Sequence, residues 1–450
     1  MSGGKQMSEV IIDFGSELGR VKPMNAVNNG PVKPEGEQTR GNFDAFRRAR
    51  IPVVRNHDAS FCSSYGGEHS VDVHAVFPDF SKDPYDPASY DFTLTDDYTR
   101  TILDAGSEVF YRLGSKIEHA RKKYGTVMPP DFKKWAVICE HIIRHYNEGW
   151  ADGFRWNIRY WEIWNEPDGV AANGDQPNWA GTKRDFFDLY KVAAKHLKKC
   201  FPDLRIGGPA ISWLHNDEGR WFDDFLKSLS EDGDKTPCDF IGWHVYTDDP
   251  HFIAEQAQEA RMKLDRAGYT ETESYLDEYN YLENWTDRFV SSIKAIIGMR
   301  GAAFTAASMA VGQYSPVDML MYYDARPSTV FNGLFEFYTF EPLPGYWPFL
   351  MFSGLYKLGT CVSATSDDPN IYAVAAKGKS GRAVMITHYR QDNTSVSKLI
   401  NLCVSEPISG IIRGRLLSGE CSPREVDLSF ADGRCNLVLP ENSVLLIEYE

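Results

Sequence analysis

The chain has 450 residues, which is too long for one ordinary core and suits a large domain joined to a smaller one. Its formal net charge of −15 repels nucleic acid phosphates and anionic lipids, so neither is expected as a partner. The sequence has no apolar run of about 18 residues and no apolar secretory segment after Met1, which predicts no membrane span. We expect a cytoplasmic protein, or a secreted one if a signal peptide has been removed.

The eight cysteines form no C-x-x-C pair, so neither a zinc site nor a thiol redox centre is predicted. Cys139 and Cys403 lie within apolar runs, as small core residues of a reducing compartment do. His69, Asp72 and His74 are spaced like metal ligands, but no further Cys or His completes a set. The sequence therefore predicts no metal and no cofactor.

Short apolar runs alternate with helical stretches along most of the chain. Thr182, for example, is placed to cap a helix that carries Phe186, Tyr190, Ala193 and Leu197 on one face. Eight such alternations predict a (β/α)8 TIM barrel over residues 21–358, an α/β fold. The predicted strands are residues 23–27, 51–55, 108–113, 160–164, 204–208, 240–245, 274–277 and 318–323.

The pattern changes after residue 358 to short alternating segments separated by Gly, Asp, Asn and Pro. This pattern predicts an accessory antiparallel β-sandwich over residues 359–450, and residues 1–20 are expected to add one strand to it. The predicted strands are residues 372–376, 383–389, 398–404, 410–417 and 444–449, with 10–14 from the N-terminus. Whether this module binds glycan or supports the barrel stays open, and the apolar stretch 333–349 favours support.

Polar and aromatic residues follow seven of the eight predicted barrel strands. Reacting groups in such barrels come from the C-terminal strand ends, so these residues are expected to converge on one rim. The candidates are Asn28, Asn29, Arg55, His57, Asp58, Tyr111, Arg112, Asn165, Glu166, His244, Tyr246, Glu278, Asn280, Tyr323, Asp324 and Arg326. Arg326 is expected either to form an ion pair within the barrel mouth or to bind a substrate carboxylate.

Glu166 and Glu278 are the predicted catalytic pair. They follow the fourth and seventh strands, which face each other across a barrel mouth, and a retaining glycosidase needs two carboxyl groups roughly 5–5.5 Å apart. His244 and Tyr246 are placed to keep Glu278 ionised as a nucleophile, while an aromatic frame near Glu166 suits an acid. Asp277 also ends the seventh strand and is the alternative to Glu278.

These segments resemble glycoside hydrolase clan A and, within it, family 39, which includes β-xylosidases and α-L-iduronidases. The resemblance is carried by WNEP after the fourth strand, DEYN at the seventh, VRNHD at the second, GWHVY at the sixth and the C-terminal β module. It covers the chain from about Lys22 to the end. It implies that Glu166 is the acid/base, Glu278 the nucleophile and Asn165 the contact to the C2 hydroxyl. It also implies that His57, His244 and Tyr246 line the glycone subsite.

The chain departs from the family's pattern at two points. Strand seven reads LDEYN where the family more often has TEFN, and strand two lacks the glycine that commonly follows its histidine. Both departures bear on the shape of the subsite rather than on the reaction. The glycone sugar is therefore less closely determined than the chemistry.

We expect an exo-acting retaining hydrolase that releases xylose or a similar pentose from oligosaccharides or plant-type polysaccharide fragments. A long loop between His57 and Tyr90 is expected to close one end of the cleft. One alternative keeps the mechanism and acts on a uronide, a galactoside or an arabinose-containing disaccharide. Others are a transglycosylase and a non-catalytic carbohydrate-binding barrel, and an oligomer is left open.

Overall fold

The computed structural model describes residues 7–34, 39–57, 71–171, 174–215, 220–231, 233–327, 329–392, 396–419 and 422–450. Their strands form two sheets, one of eight parallel strands and one of nine mostly antiparallel strands. The predicted fold class is confirmed: a nearly closed barrel carries an accessory β module. Asp58, His69 and the other residues of 58–70, which are the first part of the expected loop between His57 and Tyr90, lie outside the described residues.

The barrel sheet contains one strand for each of the eight apolar runs. Its order is β6-β5-β4-β3-β2-β9-β8-β7, and a bridge between Ile211 and Trp243 joins the two ends. Its floor is a separate apolar cluster that includes Phe110, Phe240 and Tyr275. The strands are β2 Ala26–Asn28, β3 Val53–Asn56, β4 Glu108–Leu113, β5 Tyr160–Ile163, β6 Arg205–Gly207, β7 Phe240–Thr247, β8 Glu273–Tyr281 and β9 Met319–Tyr322.

Short polar side chains set the starts of several barrel helices. Thr182 and Asp185 form a reciprocal capping box, and the side chain of Asp131 accepts two backbone N–H groups. The helices are α1 Phe43–Ala49, α2 Val73–Val76, α3 Thr93–Asp104, α4 Phe132–Asn147, α5 Lys183–Cys200, α6 Arg220–Ser230, α7 Pro250–Arg266, α8 Phe289–Ile296, α9 Met299–Tyr314 and α10 Tyr346–Leu358. Short 3-10 turns occupy Pro87–Ser89 and Trp150–Asp152.

Helix α9 is buried on nearly every side because it lies between the barrel and the second sheet. Helix α10 also packs against that sheet, so part of the apolar stretch 333–349 forms the contact between the two units. Among the described helices, no single one is long and apolar enough to cross a membrane. Only α8 and α9 together reach that length and composition, and they are bent by 80°.

The second sheet encloses its own apolar core, which includes Val10, Ile12 and Phe14 of the N-terminal strand. That strand pairs antiparallel with β10 and parallel with β13, and so joins the two chain ends. The strands are β1 Ser8–Arg20, β10 Thr360–Ser366, β11 Ile371–Gly378, β12 Gly381–His388, β13 Lys398–Val404, β14 Gly410–Leu417, β15 Arg424–Phe430, β16 Arg434–Leu439 and β17 Ser443–Tyr449. The sequence did not predict β10, β15 or β16.

Asp368 links three parts of the second sheet. It accepts from Ser8 Oγ at 2.9 Å and from Lys398, and these groups lower its pKa to about 2 although burial opposes them. The native-state pKa is depressed, so the stabilisation is present above about pH 4 and is lost as the pH falls toward 2. We expect Asp368→Asn to lower the free energy of unfolding by about 2 kcal/mol at pH 7.

Denaturant titrations of wild type and variant at pH 7 and pH 3 test this expectation. The difference between the two proteins should shrink at the lower pH. Asp427→Asn is the matched control, because Asp427 lies in the same sheet with a side chain that is 70% exposed. An equal loss of stability in the control would contradict the role given to Asp368.

Candidate active site

The two predicted catalytic glutamates meet at the C-terminal mouth of the barrel. Glu166 follows β5 in a left-handed backbone conformation, with φ of 48°, and Glu278 lies within β8. A carboxylate oxygen of each glutamate and Nδ1 or Nε2 of His244 all lie within 4.8 Å of one another. The fold therefore aims both carboxyl groups at one small volume, as their strand positions suggested.

Hydrogen-bond donors surround Glu278. Arg55 donates from Nη1 to Oε1 at 2.8 Å, and Tyr246 donates from its hydroxyl to Oε2 at 3.0 Å. His57 Nε2 lies 3.3 Å from Oε1. Burial raises the pKa of Glu278 above its ordinary value, while the cations of His244 and Arg55 oppose that rise. Both oxygens are held in fixed positions, as a nucleophile requires.

Glu166 has a different environment. His244 Nδ1 lies 2.8 Å from its Oε1, and Asn178 donates from Nδ2 to its Oε2 at 2.9 Å. Its side chain is 19% exposed, against 6% for Glu278, so Glu166 is the carboxyl group that water and a leaving group can reach more readily. The two glutamates thus differ as an acid/base and a nucleophile should.

Arg55 connects the catalytic strands from a fully buried position. Its guanidinium donates to Glu162 Oε2 and Asn165 Oδ1, each at 2.7 Å, and to Asn28 Oδ1 at 3.0 Å. The carboxyl groups of Glu162, Asp277 and Glu278 outweigh burial and raise the pKa of Arg55, so it stays charged. Because Asn165 Oδ1 is engaged, its amide nitrogen is the group left to donate to a sugar hydroxyl.

His244 lies between three carboxyl groups. Besides its contact with Glu166, its Nδ1 is 3.5 Å from Glu278 Oε2 and its Nε2 is 3.4 Å from Asp277 Oδ1. Burial alone would lower the pKa of His244, but these three neighbours raise it well above the ordinary value. These contacts favour the protonated ring, which has one N–H toward each side of the site.

Three residues predicted to bind substrate donate hydrogen bonds within the chain. Arg112 donates to His57 Nδ1 at 3.2 Å and to Asp72 Oδ1 at 2.6 Å, so it orients His57. Asn280 donates to backbone carbonyls, those of Tyr323 at 2.6 Å and Phe331 at 2.8 Å. Arg326, also buried, donates to the carbonyls of Gly30 and Pro31. Whether these three residues also contact the substrate stays a prediction.

An aromatic patch formed by Tyr323, Trp285 and Phe331 borders Tyr246. The Tyr323 ring lies 6.2 Å from His57 and 6.5 Å from Tyr246, measured between centroids. Trp285 is 59% exposed and lies 5.1 Å from the Tyr246 ring, and Phe331 lies 5.3 Å from it. Trp285 and Phe331 were not among the predicted residues. Their sequence signal is an aromatic residue soon after the seventh and eighth strands.

Two groups of described residues have the spacing of metal ligands. One is Glu166, His244 and Glu278, whose mutual contacts are hydrogen bonds and ion pairs of the catalytic cluster. The other group is Glu140, His196 and Cys200, on α4 and α5. Arg144 donates to Glu140 at 2.8 Å, and its positive charge opposes a cation there.

Comparison with known proteins gives this geometry a context. The profile of the family described as Glycosyl hydrolases family 39 matches residues 61–308, more than half of the chain. A β-xylosidase of Geobacillus stearothermophilus is 26% identical over 291 residues, which cover 56% of this chain and 53% of that protein. A β-xylosidase of Caldicellulosiruptor saccharolyticus is 29% identical over 192 residues, 40% of this chain and 36% of that protein. The chain thus spans about half the length of these relatives or less.

Solved structures share the fold over nearly the whole chain. A glucosidase from Croceicoccus marinus superposes with a TM-score of 0.79 at 22% identity and covers 98% of this chain and 99% of its own. A monomeric β-xylosidase from Caulobacter crescentus superposes with a TM-score of 0.70 at 15% identity and the same coverage. At these identities the likeness supports the barrel with its β module and nothing finer.

Proposed function

The chain belongs to glycosyl hydrolases family 39, and we propose that it is a retaining exo-acting β-xylosidase. The observation that carries the proposal is the close approach of Glu166 and Glu278, with oxygens within 4.8 Å, in two different environments. That approach agrees with the roughly 5–5.5 Å that separates the carboxyl groups of retaining enzymes. An inverting enzyme leaves room for a water between them and needs a wider gap.

In the proposed reaction, Glu278 attacks the anomeric carbon while Glu166 gives its proton to the departing glycosidic oxygen. The bond from carbon to the leaving oxygen breaks, and an ester to Glu278 forms. Water then attacks the same carbon, Glu166 takes its proton, and Glu278 departs as a carboxylate. The donors from Arg55 and Tyr246 stabilise that carboxylate whenever the ester is absent.

The choice of xylose rests on the two β-xylosidases among the relatives. The uronide alternative needs a cation for the sugar carboxylate, and Arg326 was the residue predicted to supply it. Because Arg326 is buried against Gly30 and Pro31, that alternative has lost its main support. A neutral sugar therefore fits the described rim better than a uronide does.

Two measurements test the proposal. Proton NMR of a β-xyloside digest should show the β-anomer of xylose first, with the α-anomer appearing only by mutarotation; α-xylose as the first product would exclude retention. A panel of aryl β-xyloside, β-galactoside, α-L-arabinoside and α-L-iduronide should give the highest kcat/KM for the xyloside. Activity confined to another member of the panel would refute the sugar assignment and leave the mechanism standing.

Trp285 supplies an exposed ring beside Tyr246, so we expect it to stack on a sugar of the substrate. Trp285→Ala should raise KM for a xylo-oligosaccharide by about 2- to 10-fold, the value of one aromatic contact. Tyr85→Ala is the control, since Tyr85 is 64% exposed but contacts His141 of α4. Steady-state kinetics that show equal KM for Trp285→Ala and wild type would remove this residue from the substrate path.

A further inference from the structure

Two buried carboxyl groups that the reaction does not use lie close to the catalytic pair. Glu162 of β5 and Asp277 of β8 have side chains with no exposed surface. Both reach the backbone of Gly242: a methyl group added there would lie 2.0 Å from Asp277 Oδ2 and 2.8 Å from Glu162 Oε1. Because Gly242 has no side chain, it leaves the space in which Asp277 Oδ2 and Glu162 Oε1 meet.

The oxygens in that space lack a donor. Among the described residues, no hydrogen-bond donor lies in bonding geometry to either oxygen of Asp277 or to Oε1 of Glu162. Two ionised carboxylates are acceptors only, so they repel each other when they touch in a buried site. One proton between them removes the repulsion and supplies the missing hydrogen bond.

The neighbouring cations indicate which group carries the proton. Asp277 has two, His244 at 3.4 Å and Arg55 at 4.0 Å. Among the described cations, only Arg55 pairs with Glu162, and Arg55 also donates to Glu278, Asn165 and Asn28. Burial accordingly raises the pKa of Glu162 well above its ordinary value, while Arg55 and His244 lower that of Asp277 against the effect of burial.

We propose that Glu162 is neutral and donates to Asp277, and that Asp277 is a positioning residue that holds His244 as an imidazolium between the catalytic glutamates. When Glu166 also carries its proton, the negative charges of Asp277 and Glu278 balance the positive charges of Arg55 and His244. The buried cluster is then neutral as a whole, and Glu278 is ionised despite its burial. The consequence for catalysis rests on the proposed function, whereas the charge state of His244 does not.

The proposal predicts how two isosteric variants differ. Glu162→Gln replaces the proposed O–H donor by an N–H donor toward Asp277 and keeps an oxygen for Arg55, so it should behave like wild type. Asp277→Asn removes the negative charge beside His244 and leaves the shape unchanged. The pKa of His244 should then fall, because one opposite charge within about 4–6 Å is worth one to three pKa units.

The effect on the reaction has a definite sign. The groups that face Glu278 are His244, Arg55, His57, Tyr246 and Glu166, and Asp277 lies behind them. His244 lowers the pKa of Glu278 more than Asp277 raises it. Loss of the positive charge on His244 therefore raises the pKa of Glu278 more than loss of the negative charge on Asp277 lowers it. The acid limb of kcat/KM should move up by about one pH unit or more in Asp277→Asn.

The experiment combines nitrogen-15 NMR of histidine-labelled enzyme with pH profiles. The His244 signal is assigned by its loss in His244→Asn. It should report an imidazolium at pH 7 in wild type and Glu162→Gln, and the ring should lose its proton at a lower pH in Asp277→Asn than in either of them. A neutral His244 in wild type overturns the proposal whether or not any variant folds. It is also overturned if Glu162→Gln moves the acid limb as far as Asp277→Asn does. The spectra need no substrate, so failure of the proposed function is recognised separately, by the absence of hydrolysis.

Discussion

Glu278→Ala is expected to lower kcat/KM on an aryl β-xyloside by at least about 10⁴-fold, as loss of a covalent nucleophile does. The variant keeps Glu166 and the empty volume left by the carboxylate, so a small anion can enter and attack in its place. Added azide should therefore restore turnover. Because azide attacks in a single displacement, the product should be the α-xylosyl azide, identified by proton NMR.

Glu273→Gln is the matched control for this variant. Glu273 begins the same strand at the opposite end of the barrel, where it pairs with Arg205. Its substitution should leave kcat/KM unchanged. If Glu278→Ala kept wild-type activity, or if azide gave the β-azide, Glu278 would not be the nucleophile and Asp277 would have to be reconsidered.

Glu166→Ala should show an effect that depends on the leaving group. Hydrolysis of natural xylo-oligosaccharides, which need protonation of the departing oxygen, should fall by about 10²- to 10⁴-fold. A dinitrophenyl xyloside needs no such help, so its first step should survive and xylosyl-enzyme should accumulate as a burst. Azide should then speed the second step and give the β-xylosyl azide, the opposite anomer to that from Glu278→Ala.

The comparison of the two substrates is the internal control, because a misfolded variant would lose both activities together. Equal losses on the two substrates would contradict the acid/base role of Glu166. Asn178 donates to Glu166 from a loop, so its replacement would also test the role given to Glu166.

The sequence predicted those features that depend on strand order. Eight apolar runs between helices predicted the barrel, and the order of the strands placed Glu166 and Glu278 across its mouth. Strand order predicts the positions of such residues because each strand end has a fixed place on the rim. The N-terminal strand of the second sheet was predictable because it is an apolar run ahead of the first barrel strand.

Contacts that depend on how side chains turn were not predictable. Arg55 lies near the end of β3 and Arg326 follows β9, yet Arg55 reaches Glu278 while Arg326 turns back to the loop after β2. Asn178 reaches Glu166 through a loop, and no spacing rule relates the two. Strand β15 alternates polar and apolar residues with little continuous hydrophobicity, which leaves a weak pattern.

Trapping of the covalent intermediate would show whether Glu278 is the nucleophile. A 2-fluoro-xylosyl fluoride slows both steps but keeps a good leaving group, so a retaining enzyme should accumulate as the fluoroxylosyl ester. Peptide mass spectrometry should find one added fluoroxylosyl group on the carboxylate of Glu278. A label on Asp277 or any other residue, or hydrolysis of the reagent without a label, would contradict the account.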